Sequence, residues 1–277
     1  MKRLIIAISI IFIAGSTNLC FGWGRDAHAA IAYIAERHLT PTAKANIESC
    51  IDGHSIVYYA SWLDNHRAEN KSWGNLAHVA HYNVENCDPI NKSYKQMKST
   101  MNKLKKYREL PDSALKVTIY HFVHSFGDYH CPGHVAFYDC SGEKPKRLIT
   151  SSYDIYLQTK KTRMQYHKLW DSGIVQFGQP GWGYMDWGHA LDSSISEEYI
   201  KSVTAGTLKD WMRDIATKTQ QEYQIYQKAP KTSDDLPDNE LSQVDGDMMN
   251  EFYEIAAKQI LIGGLRMAKV INDYFGE

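Results

Sequence analysis

Helical periodicity runs through most of this 277-residue chain and constrains its fold more than any other feature. Apolar residues recur at spacings of three and four, which is the pattern of a helix with one buried face. Thr40 followed by Pro41 is a typical helix start, with an N-cap and a proline at the first helical position. The periodicity predicts an all-α fold, a single compact multi-helix domain. The periodic segments are residues 25–38, 55–67, 94–110, 112–125, 150–170, 196–227 and 248–275.

Two segments interrupt the periodic pattern. Residues 173–192 are rich in glycine and aromatic residues and include Pro180, so we predict an ordered aromatic loop there. Residues 230–245 are acidic and rich in turn formers. Neither segment is long enough to be a linker between domains.

The first 22 residues have the pattern of a secretory signal peptide. Lys2 and Arg3 form a basic start, residues 4–14 form an apolar run, and small residues precede a cleavage site before Trp23. The apolar run is too short to span a bilayer, and no later stretch approaches about 20 apolar residues. We therefore predict export to the periplasm or the medium, with no membrane anchor after processing. The predicted boundaries are 1–22 for the signal peptide and 23–277 for the functional domain.

The charge balance argues against general attraction to polyanions. The full chain has 31 basic and 32 acidic residues, and both basic residues of the signal peptide are lost on cleavage. The mature chain then has 29 basic and 32 acidic residues, a formal net charge of −3. Any nucleic acid must therefore be bound by a local site.

Four cysteines remain after cleavage, namely Cys50, Cys87, Cys131 and Cys140. An even number in an exported chain predicts disulfides. Cys131 and Cys140 are close in sequence and flank a segment that opens with a Pro-Gly turn, which favours that pair together with Cys50–Cys87. A zinc site built from cysteines is disfavoured, because no C-x-x-C spacing occurs.

Histidine and aspartate recur at spacings that suit a metal site. His124 and Asp128 are four residues apart, as are His167 and Asp171, and such pairs project from one face of a helix. Pro-Gly precedes His134 and can turn its side chain towards the first pair. An isolated H-x-x-x-D pair is more often a surface ion pair or a hydrogen-bonded core histidine. Two pairs with a third histidine nearby favour metal binding.

These residues lie in motifs that resemble those of the S1/P1 family of zinc-dependent nucleases. The resemblance extends over essentially the whole mature chain, in the family's order, and implies the multi-helix fold of the phospholipase C/P1 nuclease type. The motifs are Trp23-Gly24-x-x-x-His28, Ala60-Ser61-Trp62-Leu63-Asp64-x-x-Arg67, His124-Ser125-Phe126-Gly127-Asp128-Tyr129-His130-Cys131-Pro132-Gly133-His134, His167-Lys168-Leu169-Trp170-Asp171-Ser172-Gly173 and Gly263-Gly264-Leu265-Arg266-Met267-Ala268.

The resemblance also implies three zinc ions and a set of ligands. The first zinc would be held by Asp64, His81, His124 and Asp128. The second would be held by the amino group and carbonyl oxygen of Trp23, by His28 and by Asp128, and the third by His134, His167 and Asp171. Imidazole and carboxylate groups suit zinc. His78 competes with His81 as a ligand, and the aromatic residue after His81 favours His81.

Catalytic and substrate-binding roles follow from the same resemblance. Asp64 would orient or deprotonate the attacking water, and Arg67 would neutralise a phosphate oxygen. Tyr82 would stack a base, and Asn83 lies close to the position where other members carry an acid that contacts the base. Two departures from the family pattern, Cys131 and Gly133, fall in the loop that holds His134, and base preference is left open.

The expected activity is hydrolysis of single-stranded DNA and RNA to 5′-phosphate products by a monomer, without sequence-specific readout. Removal of 3′ phosphates from nucleotides is a further candidate activity. A zinc-dependent phospholipase C is the nearest alternative, disfavoured by the spacing of five between Trp23 and His28 and by aspartate at position 171. The alternative of another class is a non-catalytic zinc-binding or interaction protein with the same fold.

Overall fold

The computed structural model describes residues 23–66, 77–149, 154–227 and 241–277, so the predicted signal peptide lies outside the described residues. The helices of the amino-terminal half are α1 (Arg25–Arg37), α2 (Pro41–Cys50), α3 (Trp62–Asn65), α4 (Lys92–Leu104) and α5 (Asp112–Asp128). Those of the carboxy-terminal half are α6 (Tyr166–Lys168), α7 (Ile174–Gly178), α8 (Tyr184–Asp192), α9 (Glu197–Thr204), α10 (Leu208–Gln227) and α11 (Gly246–Phe275). The strands are β1 (Ala80–Asn83), β2 (Val135–Asp139), β3 (Lys146–Ile149), β4 (Asp154–Leu157), β5 (Thr162–Gln165) and β6 (Ser242–Val244).

The fold is mainly helical, which confirms the predicted fold class, and it also contains two small sheets. The first sheet has the order β1-β2-β3, in which β1 and β2 run parallel with Ala80 opposite Val135. The second has the order β5-β4-β6, in which β4 and β5 form an antiparallel hairpin. Among the described residues, none of the helices combines the length and the apolar character that a membrane span requires.

The core is built on α1 and the long carboxy-terminal helix α11. Ile31 and Ile34, from the predicted apolar stripe of α1, are fully buried, and Gly264 of α11 lies directly against them. A Cβ atom at Gly264 would come within 2.6 Å of Ile34 Cγ2, so only glycine permits this close approach. The predicted start of α2 is also confirmed, since the Thr40 side chain accepts a hydrogen bond from the Ala43 backbone N–H at 3.2 Å.

The prediction of one helix over residues 150–170 is wrong. The described part forms the β4–β5 hairpin, and helical structure begins only at Tyr166. Ile155 and Leu157 are buried while Asp154 and Tyr156 are partly exposed, which is the alternation of a strand. A four-residue run of this kind is too short for periodicity to separate a strand from a helix.

Two other boundaries differ from the sequence prediction. The segment 173–192, predicted as a loop, contains the helices α7 and α8. The segment 196–227 is divided between α9 and α10 at Gly206, whose φ of +89° favours glycine. The acidic segment 230–245 lies mostly outside the described residues, and its end forms β6.

Both predicted disulfides are absent, because all four of these cysteines are free. The extended strand β2 separates Cys131 from Cys140, and five residues of strand span about 16 Å, whereas a disulfide requires Cα atoms within about 7 Å. Cys131 is fully buried, and the Cys87 thiol donates to Gln220 Oε1 at 3.7 Å. The thiol of Cys50 is half-buried at the end of α2, and burial raises its pKa.

Candidate metal centre

The last turns of α5 place two of the predicted ligands in the centre of the molecule. His124 and Asp128 are both 0% exposed, and the helical spacing of four brings His124 Nε2 within 3.3 Å of Asp128 Oδ2. Gly127 lies between them in sequence and lets another element approach α5 closely. A Cβ atom there would come within 2.7 Å of the His28 ring, so glycine makes room for this histidine from α1.

Asp128 lies at the centre of the site, because four imidazole rings surround its carboxylate. Its Oδ1 atom lies 3.3 Å from His28 Nε2 and 3.4 Å from His134 Nδ1. Its Oδ2 atom lies 2.9 Å from His78 Nδ1 and 3.3 Å from His124 Nε2. The role of Asp128 as a ligand shared between neighbouring ions stays a prediction, with which this geometry is compatible.

A second carboxylate approaches the same rings from the short helix α3. Asp64 is buried, and its Oδ1 atom lies 3.9 Å from His124 Nε2. The rings of His28 and His124 stack with centroids 4.3 Å apart. The ligand atoms of His28, Asp64 and His124 all lie within 4.8 Å of one another, as do those of His78, His124 and Asp128.

A third group of donors lies on the other side of Asp128. His167 lies in α6, and Asp171 lies in the π-helical turn Leu169–Gly173 that follows. His167 Nδ1 is 3.3 Å from Asp171 Oδ2, and His134 Nε2 is 3.7 Å from Asp171 Oδ1. The two imidazoles stack with centroids 4.7 Å apart, and their Nε2 atoms are 2.8 Å apart. The ligand atoms of these three residues also lie within 4.8 Å of one another.

Backbone carbonyl groups orient two of the histidine rings. His124 Nδ1 lies 2.9 Å from the carbonyl oxygen of Ala60, and His134 Nδ1 lies 2.9 Å from that of His78. A proton on each Nδ1 atom satisfies the carbonyl group and leaves the Nε2 lone pair directed towards the cluster. Fixing a ring through its second nitrogen is typical of histidines that bind metals.

Buried polar atoms at this site need partners that the protein does not supply. Within the described residues, His28 Nε2, His124 Nε2 and Asp128 Oδ1 are inaccessible to water, and their contacts of 3.3 Å do not have the geometry of a hydrogen bond. Leaving a buried polar atom unsatisfied costs about 1–3 kcal/mol. A metal ion bound by these atoms would remove that cost, and donors of imidazole and carboxylate type suit zinc. The residues therefore fit a metal centre.

Burial also sets the protonation states of the cluster. It lowers the pKa of His134 to about 3, so this imidazole is neutral near pH 7. Burial alone would raise the pKa of Asp128, but the surrounding imidazoles, His124 first among them, outweigh it and hold that pKa well below its usual range. The site thus presents a neutral imidazole ligand and a carboxylate anion.

The structure corrects the choice between His78 and His81. His78 lies in the cluster, whereas His81 is half-buried and stacks on Tyr138 with ring centroids 4.7 Å apart. Successive side chains of a strand face opposite sides, so β1 buries Ala80 and Tyr82 and turns His81 outwards. Periodicity in so short a segment of sequence does not show which of the two histidines faces the cluster.

The two histidines therefore predict opposite effects of mutation. Replacing His78 by alanine should lower the phosphodiesterase activity that the resemblance implies about a hundredfold, since it removes a group in direct contact with Asp128. Replacing His81 by alanine is the matched control and should change activity by about twofold or less, because an outward-facing ring is lost. Steady-state rates on single-stranded DNA would measure both. A larger loss of activity for His81→Ala than for His78→Ala would indicate that His81 is the ligand.

Tyr82 is not available as a platform for stacking a base. Its side chain is 0% exposed and packs near Phe137, and burial raises the pKa of its phenol well above its usual range. The Asn83 side chain is partly exposed and accepts a hydrogen bond from the Glu85 backbone N–H at 3.1 Å. Arg67 lies outside the described residues, and its predicted role stays a prediction.

The burial of Tyr82 changes the expected result of its removal. Replacing Tyr82 by alanine should destabilise the protein by about 3–5 kcal/mol, because a large buried side chain leaves a cavity. Tyr58 is 71% exposed, so Tyr58→Ala should cost about 0.5 kcal/mol or less. Chemical denaturation would measure both. A stable Tyr82 variant that is impaired only on nucleic acid would instead support base stacking.

A cleft with a volume of about 520 Å³ opens beside the cluster. Asp64 and Asp171 both line it, so it reaches two of the three donor groups. The start of α1 forms another wall, where the Gly24 backbone N–H donates to the carbonyl oxygen of Asp171. This hydrogen bond holds Trp23, which is fully buried, next to the third group.

A mainly helical domain with three adjoining His/Asp groups and a cleft above them defines a candidate metalloenzyme. In a comparison with known families, the family model for S1/P1 nuclease matches residues 23–276. The chain belongs to the S1/P1 nuclease family. Membership supports a nuclease function, that is, a hydrolase of phosphodiester bonds, and suggests nucleic acid as the substrate. No curated protein sequence matches the chain.

Proposed function

We propose that this protein is an exported endonuclease that holds three zinc ions and cleaves single-stranded DNA and RNA to products with 5′ phosphates. The observation that carries the proposal is the cleft, because its walls contain a carboxylate from each of two donor groups. A phosphodiester bound there would lie beside both Asp64 and Asp171, and so beside the zinc ions that these residues would hold. Such an arrangement suits attack by water opposite a departing oxygen.

The residues of the three donor groups, together with the amino terminus, divide among three proposed zinc sites. One site uses Asp64, His78, His124 and Asp128, the second uses His28, Asp128 and the amino terminus at Trp23, and the third uses His134, His167 and Asp171. Bound zinc would supply Lewis acidity and would lower the pKa of water towards neutrality. The mature chain carries a net charge of −3, so the zinc ions would supply the local positive charge that attracts a polyanion.

The chain's own residues divide the remaining tasks. Asp64 lines the cleft and is the residue that can orient the attacking water and accept its proton. Asp128 is fully buried and does not line the cleft, so its task is to hold the imidazole rings in place. Arg67 follows Asp64 by three residues in sequence and would neutralise a phosphate oxygen.

Export is proposed from the first 22 residues, whose basic start and apolar run are typical of a signal peptide. Cleavage before Trp23 would expose the amino group that the second zinc site uses. Nothing in the proposed site reads base sequence, so the substrate would be recognised by its phosphates and its single-stranded form.

The test is a digestion by purified protein that begins at Trp23. Single-stranded DNA, RNA and duplex DNA would be incubated with zinc, with a chelator, and with zinc restored after chelation. We expect cleavage of both single strands, reversible loss with chelator, and 5′-phosphate ends. Turnover of phosphatidylcholine without cleavage of nucleic acid would instead indicate a phospholipase. Absence of any phosphodiester hydrolysis by the zinc-loaded protein would indicate a non-catalytic binding protein.

A further inference from the structure

Two exposed cations stand on the rim of the cleft and have no role in the proposed zinc sites. Arg25 is in the first turn of α1, and Lys168 is the last residue of α6. Both side chains are exposed, and neither forms an ion pair with any of the described residues. A cation that is not neutralised by the protein can bind an anionic ligand.

Their positions in the chain fix both cations beside Asp171. Lys168 precedes Asp171 by three residues, and both residues line the cleft. The Ser172 hydroxyl donates to the Lys168 carbonyl oxygen at 3.5 Å, so the turn continues between them. Arg25 follows Gly24, whose backbone N–H donates to the carbonyl oxygen of Asp171. The cations thus flank the Asp171 side of the cleft from two elements.

The remaining rim does not cancel this charge. Among the described residues that line the cleft, Asp26 is the other charged one apart from the proposed ligands Asp64 and Asp171, and Asn65 and Gln176 add neutral polar groups. With zinc bound to the two ligand carboxylates, the described part of the rim carries two positive charges and one negative charge. A single phosphate held between the zinc sites would leave the two rim cations to contact the next part of the substrate.

We propose that Lys168 and Arg25 bind a phosphate adjacent to the one that is cleaved, so the site prefers polynucleotide chains over dinucleotides. This inference rests on the proposed nuclease function and adds a subsite to it. The ligand is a phosphodiester group of a nucleic-acid backbone, which a lysine binds as a point charge and an arginine binds through its planar fork. The subsite needs no base contact, and it selects by chain length and not by sequence.

The test compares two substrates for each variant. One is a dinucleoside monophosphate, which has a single phosphate, and the other is a longer single-stranded oligonucleotide of the same bases. We define the length preference as the ratio of kcat/KM for the longer substrate to kcat/KM for the shorter. Lys168→Ala should lower this ratio about tenfold, Lys168→Glu should lower it further, and Lys168→Arg should retain most of it.

Lys258→Ala is the matched control, because Lys258 is an exposed lysine of α11 that does not line the cleft. It removes the same charge and should leave the length preference as it is. For Lys168→Ala, the dependence of log kcat/KM on log salt should also become less steep by about 0.7, the value expected for one phosphate contact to a single strand. Arg25→Ala tests the other wall and should lower the ratio in the same direction.

The outcomes separate this inference from the proposed function. If the parent protein cleaves neither substrate, the proposed function itself fails. If the parent protein cleaves both and Lys168→Ala keeps the parental length preference, the subsite is overturned. Equal loss on both substrates also overturns it, because Lys168 would then act through its neighbour His167 and not through an adjacent phosphate.

Discussion

Replacing Asp128 by asparagine is expected to remove about 99.9% of the phosphodiesterase activity, equivalent to roughly 4 kcal/mol of transition-state stabilisation. Asparagine keeps the shape of the side chain but removes the negative charge that four imidazole rings share. Two of these contacts, with His28 Nε2 and His124 Nε2, are 3.3 Å long and fully buried. A neutral group in their midst would weaken metal binding at two of the proposed sites at once.

The matched control for this variant is Asp273→Asn. Asp273 is an exposed residue of α11 that pairs with Lys269 at 2.9 Å, and exposed pairs of this kind contribute about 0–1 kcal/mol. Activity on single-stranded DNA and bound zinc would be measured for both variants, and circular dichroism would verify that they fold. Near-parental turnover in Asp128→Asn would mean that the cluster is not assembled around this carboxylate.

One additional residue before Trp23 is expected to lower activity at least about tenfold, which corresponds to about 1.4 kcal/mol. The proposed ligand is the free amino group of Trp23, whose ordinary pKa near 8 allows a metal to displace its proton. A preceding peptide bond converts this amine into an amide nitrogen, a very poor ligand at neutral pH. Trp23 is fully buried and is held next to Asp171 through Gly24, so the added residue would enter the cluster itself.

The comparison requires two proteins that differ only at this end, one beginning at Trp23 and one carrying a preceding serine. An added residue after Glu277 is the control for the extension itself. The amino-terminal extension should also release one zinc ion per chain, whereas the control should retain all of them. Equal zinc content and equal activity in the two proteins would falsify the amino-terminal ligand. The uncleaved precursor would then be active as well.

Local spacing was sufficient to predict which His/Asp pairs converge on the helices. His124 and Asp128 are both on α5, and the spacing of four alone places their side chains on one face. His167 and Asp171 converge for the same reason across the short α6 and the π-helical turn. The cap at Thr40 and the buried stripe of α1 also depend on neighbouring residues, and both were predicted correctly.

Features that depend on distant strands could not be predicted in this way. The pairing of β1 with β2 buries Tyr82 and stacks His81 on Tyr138, while His78, just before the strand, contacts Asp128. The predicted disulfide between Cys131 and Cys140 ignored the extended strand between them. The cleft, with Lys168 on its rim, is formed by three separate segments of the chain and has no signature in any one of them.

The central claim is that three adjoining His/Asp groups form a zinc centre, and metal analysis tests it most directly. Purified protein beginning at Trp23 would be incubated with zinc, freed of excess metal and analysed for zinc and for protein. The three proposed sites predict about three zinc ions per chain, and His81→Ala should retain the same number while Asp128→Asn should lose at least one. One zinc ion per chain, or none, after this treatment would contradict the account.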